Sequence, residues 1–245
     1  MKKLNRLGEK NITKQGYEIE IIDYINNENL TVLFSDGYIS HNKKYTSFKK
    51  GVLLNPYHPT VCNIGYIGEE KYNKNNKYNP KIYPIWGGII RRCYDDKAQE
   101  KTPTYIDCSV DERWHNYQNF AKWYEENYVE GFHLDKDILI KGNKIYSPET
   151  CCFVPREINH WFREPRRVKS KDLTGIDILK NNKFQARFCT SIGRISKNFN
   201  TFEEAFSYYK TKKEHKLKEL ADTWKDKITK QVYQALYTYQ VDIID

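Results

Sequence analysis

The chain has no apolar run approaching the ~18 residues that a spanning helix needs. Its mean hydropathy is −0.84, so no membrane association is expected. Behind the two lysines of MKKLNRLGEK there is no apolar stretch, and a secretory signal is not expected either. Paired cysteine motifs are also missing. Cys62, Cys93, Cys108, Cys151, Cys152 and Cys189 are scattered with no CxxC among them. The spacing is wrong for a familiar zinc ribbon or finger and reads as buried, reduced thiols of a cytosolic protein, with a zinc site of Cys93, Cys108, Cys151 and a histidine as the alternative. Acidic excess is absent too: 41 Lys and Arg stand against 32 Asp and Glu, a net charge of +9. The basic balance suggests a polyanionic partner, most simply nucleic acid. A Lys- and Asn-rich chain is also basic through translation of an AT-rich genome, so charge alone does not identify the partner.

What the chain has in quantity is aromatic side chains: 20 Tyr, 11 Phe and 5 Trp in 245 residues, enough for several small cores. The expected class is α+β in three parts. Residues 1–72 read as a small β-barrel-like module: YEIEIIDY at 17–24 alternates, residues 30–34 follow a turn-rich joint, and Asp36-Gly37 is a turn signal. Residues 45–54 are expected as a further strand. The Asn-rich stretch 73–81 reads as a linker. A middle domain is expected over 82–165, with helices over 83–94 and 112–126 whose apolar residues recur at helical spacing. The last domain, 172–245, reads as three short strands at 174–179, 183–189 and 193–199. The capping box Thr201-Phe202-Glu203-Glu204 then opens a long helix through Trp224, with a further segment over 232–239.

The stretch 132–162, FHLDKDILIKGNKIYSPETCCFVPREINHWF, reads as strand, turn, short strand and helix. Around it stand Trp86, Arg92-Cys93, Cys108-Ser109-Val110, Trp114, Phe120, Trp123, Leu134-Asp135-Lys136-Asp137, Gly142-Asn143, Tyr146-Ser147-Pro148-Glu149-Thr150-Cys151, Phe153-Val154-Pro155 and Asn159. With these residues, 86–162 resembles the HNH-type (ββα-metal) nucleases common in bacteriophage genomes. In that family the first strand supplies a general-base His beside a metal-holding Asp, a loop Asn fixes the ring, and the helix supplies a second ligand. The resemblance implies Asp135 as one ligand of a divalent ion (Mg or Mn) and Asn159, or its neighbour His160, as the other. Lys136 stands where the base belongs. A lysine with an ordinary pKa of ~10.4 is protonated at neutral pH and cannot take a proton from water. His133, two residues before Asp135, is the alternative base. By strand alternation it shares a face with Asp135 and Asp137, opposite Lys136. If catalysis is lost, no cofactor is expected.

In the last domain Gly175-Ile176, Phe184-Gln185-Ala186-Arg187-Phe188, Gly193-Arg194, Phe199 and Thr201-Phe202-Glu203-Glu204-Ala205-Phe206 resemble the apetala-type (integrase-type) DNA-binding domain. That resemblance implies a three-stranded sheet laid in the major groove with a helix behind it. Alternation turns Phe184, Ala186 and Phe188 toward the helix. It leaves Gln185, Arg187, Arg194, Ser196 and Asn198 outward, and Arg and Gln are residue types that read base edges. The basic connector REPRRVKSK, with Arg166 and Arg167, suits a phosphate backbone. Three functions stay open on the sequence. The first is a DNA-binding protein with a degenerate nuclease domain. The second is an active, metal-dependent HNH endonuclease of the homing kind. The third is a phage factor that binds a host or defence protein. Double-stranded DNA is the expected partner, the cytoplasm of an infected bacterial host the expected location, and the oligomeric state is open.

Overall fold

In the computed structural model, residues 5–69, 72, 81–162, 175–190 and 193–243 are described. The expected linker 73–81, except Lys81, and the connector 163–171 lie outside them. The protein is mixed α+β, with several small sheets, none of them closed. It divides into two compact units, Met1–Asp95 with Glu112–Ala121, and Asp96–Asp111 with Lys122–Asp245.

The first unit opens with β1 (Lys10–Ile12), β2 (Glu18–Asn26), β3 (Asn29–Phe34) and β4 (Ile39–Lys43), an antiparallel sheet in the order β1-β2-β3-β4. Alternation in β2 turns Ile19 and Ile21 inward, onto Leu30, Val32, Phe34, Phe48 and Leu53. Each such side chain contributes roughly 1.5–3 kcal/mol by leaving water. Asp36-Gly37 makes the β3–β4 turn: Phe34 N donates to Tyr38 O at 2.8 Å. Residues 45–54 are not the expected strand. Tyr45–Lys49 is a short helix, α1. Tyr45 and Phe48 are three residues apart, the helical spacing, and their rings stack at 6.1 Å. Gly51, at φ 61°, ends the helix in the left-handed region, and a Cβ there would lie 2.5 Å from Ile12 O. Asn11 Nδ2 takes up the carbonyls of Phe48 (2.7 Å) and Lys49 (3.1 Å).

Further on, α2 (Ile82–Tyr94) buries Trp86, Ile89, Ile90 and Cys93 of the expected stripe, with Ile82 added at its start and Ile85 only half-buried. Trp86 Nε1 donates to Trp114 O at 2.7 Å, and Trp114 meets Phe120 edge-on at 5.0 Å. The buried amide of Gln118 accepts from Tyr72 N and donates to Ile67 O and Tyr72 O, so its burial leaves those groups satisfied.

The second unit begins with α3 (Asp96–Lys101) and β5 (Ser109–Val110), and α4 (Tyr117–Asn127) enters it from the first. Then come β6 (Phe132–Asp135), β7 (Ile145–Tyr146), β8 (Cys152–Pro155) and α5 (Arg156–Phe162). β6 and β8 pair antiparallel with α5 directly behind, while β5 pairs parallel with β7. Phe153 is enclosed by Trp123, Tyr124 and Tyr128 at centroid distances of 5.1 to 5.4 Å.

The C-terminal sheet is β9 (Ile176–Ile178), β10 (Phe184–Thr190) and β11 (Gly193–Phe199), ordered β11-β10-β9. Behind it runs α6 (Phe202–Trp224), and α7 (Lys230–Tyr237) follows. The capping box at Thr201 and Glu204 is formed as the sequence predicts. α6 serves two cores. Its first turns place Ala205 and Tyr209 on Ile176, Ala186 and Phe188. Its later turns, with α7, place Leu217, Leu220, Val232 and Leu236 on Val154 and Ile158 of the ββα segment. The length of α6 beyond its sheet is therefore used inside the chain. Gly175, at φ 80°, lets Tyr209 close on the sheet, since a Cβ there would lie 2.1 Å from the ring.

Candidate functional site

Asp135 is the last residue of β6, opposite Cys152 of β8. Its Oδ1 accepts from the backbone N–H groups of Asp137 (2.7 Å) and Ile138 (3.1 Å), which turns the chain sharply off the strand. Its Oδ2 accepts from Asn159 Nδ2 of α5 at 3.3 Å. Burial pushes the carboxyl up to about 6; Asp137 adds to the rise, while the two N–H groups and Lys136 oppose it. Asn159 is buried and His160, one residue on, is exposed. Of the two expected helix ligands, the fold brings Asn159 to Asp135.

Lys136 is 6% exposed. Its ammonium is ion-paired with the Asp137 carboxylate, donates to Asn143 O at 2.9 Å and lies 5.7 Å from the centre of the Tyr146 ring. Burial works against the charge, but the hydrogen bond and charge of Asp137 outweigh it, and the pKa is raised above the ordinary lysine value. Asn143 answers from its side chain: Nδ2 donates to Lys136 O and Ile145 O, both at 2.7 Å. The Ser147 turn locks the far side, its Oγ accepting from Glu149 N and Thr150 N at 3.2 Å. His133 is exposed on β6. Asp137 does not extend the His133 face as alternation predicts, because β6 ends at Asp135 and its carboxylate turns to Lys136 instead.

Among the described residues no three His, Cys, Asp or Glu side chains are grouped to hold an ion. Asp135 and Asn159 are the oxygen donors that would hold a hard divalent ion, which takes its remaining sites from water and phosphate. The cysteines around them are free thiols. Burial pushes the Cys151 thiol up to about 12 and raises Cys152 as well, which keeps both protonated and inert at neutral pH.

The outer face of the C-terminal sheet collects a second polar group. Register sets Gln185 opposite Asn198 and Asp177, and Arg187 opposite Ser196. Gln185 Nε2 donates to Asn198 Oδ1 at 2.8 Å, and Arg187 is ion-paired with Asp177 at 2.9 Å. Ser196 and Asn198 are exposed, while Ala186 and Phe188 are buried toward α6. The backbone of Arg194 pairs with Cys189, and its side chain lies outside the described residues, as do Arg166 and Arg167. Sequence reasoning missed Asp177, the partner of Arg187, and placed Asp137 beside His133 instead of against Lys136.

No protein-family model, curated protein or solved structure matches the chain. The site is therefore read from its own geometry. No helix among the described residues is long and apolar enough to cross a membrane.

Proposed function

We propose that the chain is a DNA-binding protein of phage type whose HNH-like ββα segment serves as a scaffold and does not cleave. The observation that carries this reading is Lys136. At the position of the general base stands a buried ammonium, held protonated by Asp137 and committed to Asn143 O. It has no lone pair with which to activate water. Contact with DNA is assigned to the outer face of the C-terminal sheet, where Gln185, Arg187, Ser196 and Asn198 stand together, with Arg194, Arg166 and Arg167 as further basic contacts. The N-terminal sheet completes the three-part reading as a curled, barrel-like module. Two bulges in its β2–β3 register support the curl.

A second reading, an active endonuclease, is favoured by one observation: Asp135 and Asn159 are held together at the end of β6. A Mg or Mn ion bound there would polarise the scissile phosphate and stabilise the leaving oxygen. Asp135 and Asn159 would supply its protein oxygens, Lys136 would offset phosphate charge, and His133 is the remaining candidate to take the proton from water. The test is incubation of supercoiled plasmid with the protein in magnesium, manganese or chelator, beside Asp135→Ala. The proposed reading expects no nicking and salt-sensitive retention of the plasmid. Metal-dependent nicking that is lost in Asp135→Ala would replace it with the endonuclease. Neither cleavage nor retention would move the assignment to a host or defence protein as partner.

A further inference from the structure

On the reading that the outer sheet face contacts DNA, we propose that Asp177 is a positioning residue. It sets the Arg187 guanidinium to read a guanine in duplex DNA, while the amide of Gln185, fixed by Asn198, reads an adenine two base steps away. The argument begins with the ion pair. Arg187 Nη1 lies 2.9 Å from Asp177 Oδ2, and the two side chains are only 15% and 29% exposed, so the pair is shielded more than an ordinary surface contact. Asp177 is the sole ion-pair partner of Arg187 among the described residues. The contact runs through Nη1 alone, so Asp177 draws the guanidinium to one place on the outer face. A guanidinium paired through Nη1 keeps Nε and Nη2, two parallel N–H donors on its other side, the arrangement that matches O6 and N7 of guanine.

The amide pair is complementary. Gln185 Nε2 uses one N–H on Asn198 Oδ1 at 2.8 Å. The second N–H and the carbonyl oxygen of Gln185 remain, the donor–acceptor couple that matches N7 and N6 of adenine. Gln185 and Arg187 are two residues apart on β10, a rise of about 6.4–6.8 Å. Successive bases on one strand are about 3.4 Å apart, which gives two base steps. Both anchors come from neighbouring strands, Asp177 from β9 and Asn198 from β11, so the sheet fixes both readers before any DNA arrives.

The experiment is selection of bound duplexes from a pool with a randomised core, using the full chain as wild type, Asp177→Asn, Asp177→Glu, Arg187→Lys and Gln185→Ala. The wild type is expected to enrich guanine and adenine two steps apart. Arg187→Lys keeps the charge but loses the fork, and it should flatten the guanine preference by about tenfold or more. Asp177→Asn should do the same with the adenine preference intact, Asp177→Glu should restore guanine in part, and Gln185→Ala should lose adenine alone. A cross-strand pair with a structural role only would shift melting and leave base preference unchanged. If Arg187→Lys flattens guanine and Asp177→Asn does not, the positioning role is overturned and the DNA reading stands. Binding without guanine enrichment also overturns the inference and leaves a contact to the phosphates alone. Absence of salt-sensitive duplex binding by the wild type overturns the DNA reading, and the inference with it.

Discussion

The ββα segment and the C-terminal sheet each hold a cation against an aspartate, and the two pairs are built differently. Lys136 and Asp137 are neighbours in sequence, just past the end of β6. The ammonium is turned inward, where Asn143 O takes a second donor and Tyr146 faces it. Arg187 and Asp177 come from adjacent strands and sit on the face of the sheet turned away from its core. The lysine is used by the fold, since its donors meet groups of the same turn. The arginine has more donors than the one nitrogen that faces its partner. A charge of either kind reads the same in a sequence. Whether it holds the chain or meets a ligand depends on how many of its donors the fold consumes.

If the two regions differ in use, they should still share one stability, because α6 belongs to both cores. Leu217 is fully buried among the side chains that join α6 and α7 to the ββα segment. Leu217→Ala should cost about 2–5 kcal/mol, the range for a buried Leu truncated in a packed core. In urea titrations, tryptophan fluorescence and helical circular dichroism should move to a lower midpoint together. Separation of the two transitions would show that the sheet with the first turns of α6 stands without the ββα segment.

Asp135 gives the next largest effect, with a sign that sharpens the contrast. Its carboxyl is raised to about 6 mainly by burial. The folded state therefore holds the proton more tightly than the unfolded state, in which the ordinary value of 3.8 applies. Stability from this group is full below 3.8, falls as pH rises toward 6, and stays low above it. A gap of about two units corresponds to roughly 3 kcal/mol at most. Asp135→Asn keeps an oxygen for the N–H groups of Asp137 and Ile138 and removes the buried charge. It should raise the urea midpoint at pH 7 and lose that advantage at pH 3.5. A variant less stable than wild type at pH 7 would mean that the carboxylate is held in its charged form, as a bound cation would hold it.

Lys136→Ala should destabilise by about 1–3 kcal/mol, because it strips the donor from Asn143 O and leaves a gap in a buried turn. Asp137 is half exposed and rehydrates, which keeps the cost below that of a fully buried broken pair. Thermal melting checks this. A change near zero would remove the fold's claim on the lysine and reopen a chemical role for it.

Much of this architecture is legible from periodicity. The capping box, the stripe of α2, the three strands of the last sheet and the length of α6 follow from residue spacing, because each is a local pattern repeated over several turns or pairs. The short helix α1 was not legible as one. Its five residues carry a single buried side chain, Phe48, and its end is set by Gly51 against Ile12, 39 residues away in sequence. At the site, the motif positions single out Asp135 with Asn159 or His160, and the choice between the two is made by the fold, which brings Asn159 to Asp135; Asp137 leaves the His133 face because β6 ends at Asp135, where alternation stops. Asp177 was not legible, since its meaning depends on the register of β9 against β10, which a sequence does not print.

The smallest effect on stability is expected at the sheet, and it is the most telling. Arg187→Ala removes an ion pair that is only partly shielded, and such pairs contribute about 0–1 kcal/mol. The melting temperature should move little. Duplex affinity at moderate salt should fall by about tenfold, and the salt dependence should weaken if the guanidinium meets a phosphate instead of a base. Anisotropy titrations with a labelled duplex at two salt concentrations measure both. In Lys136→Ala the balance should be reversed, with lower stability and unchanged affinity. Equal losses of stability and affinity in both variants would collapse the distinction between a cation that the fold consumes and one that it presents.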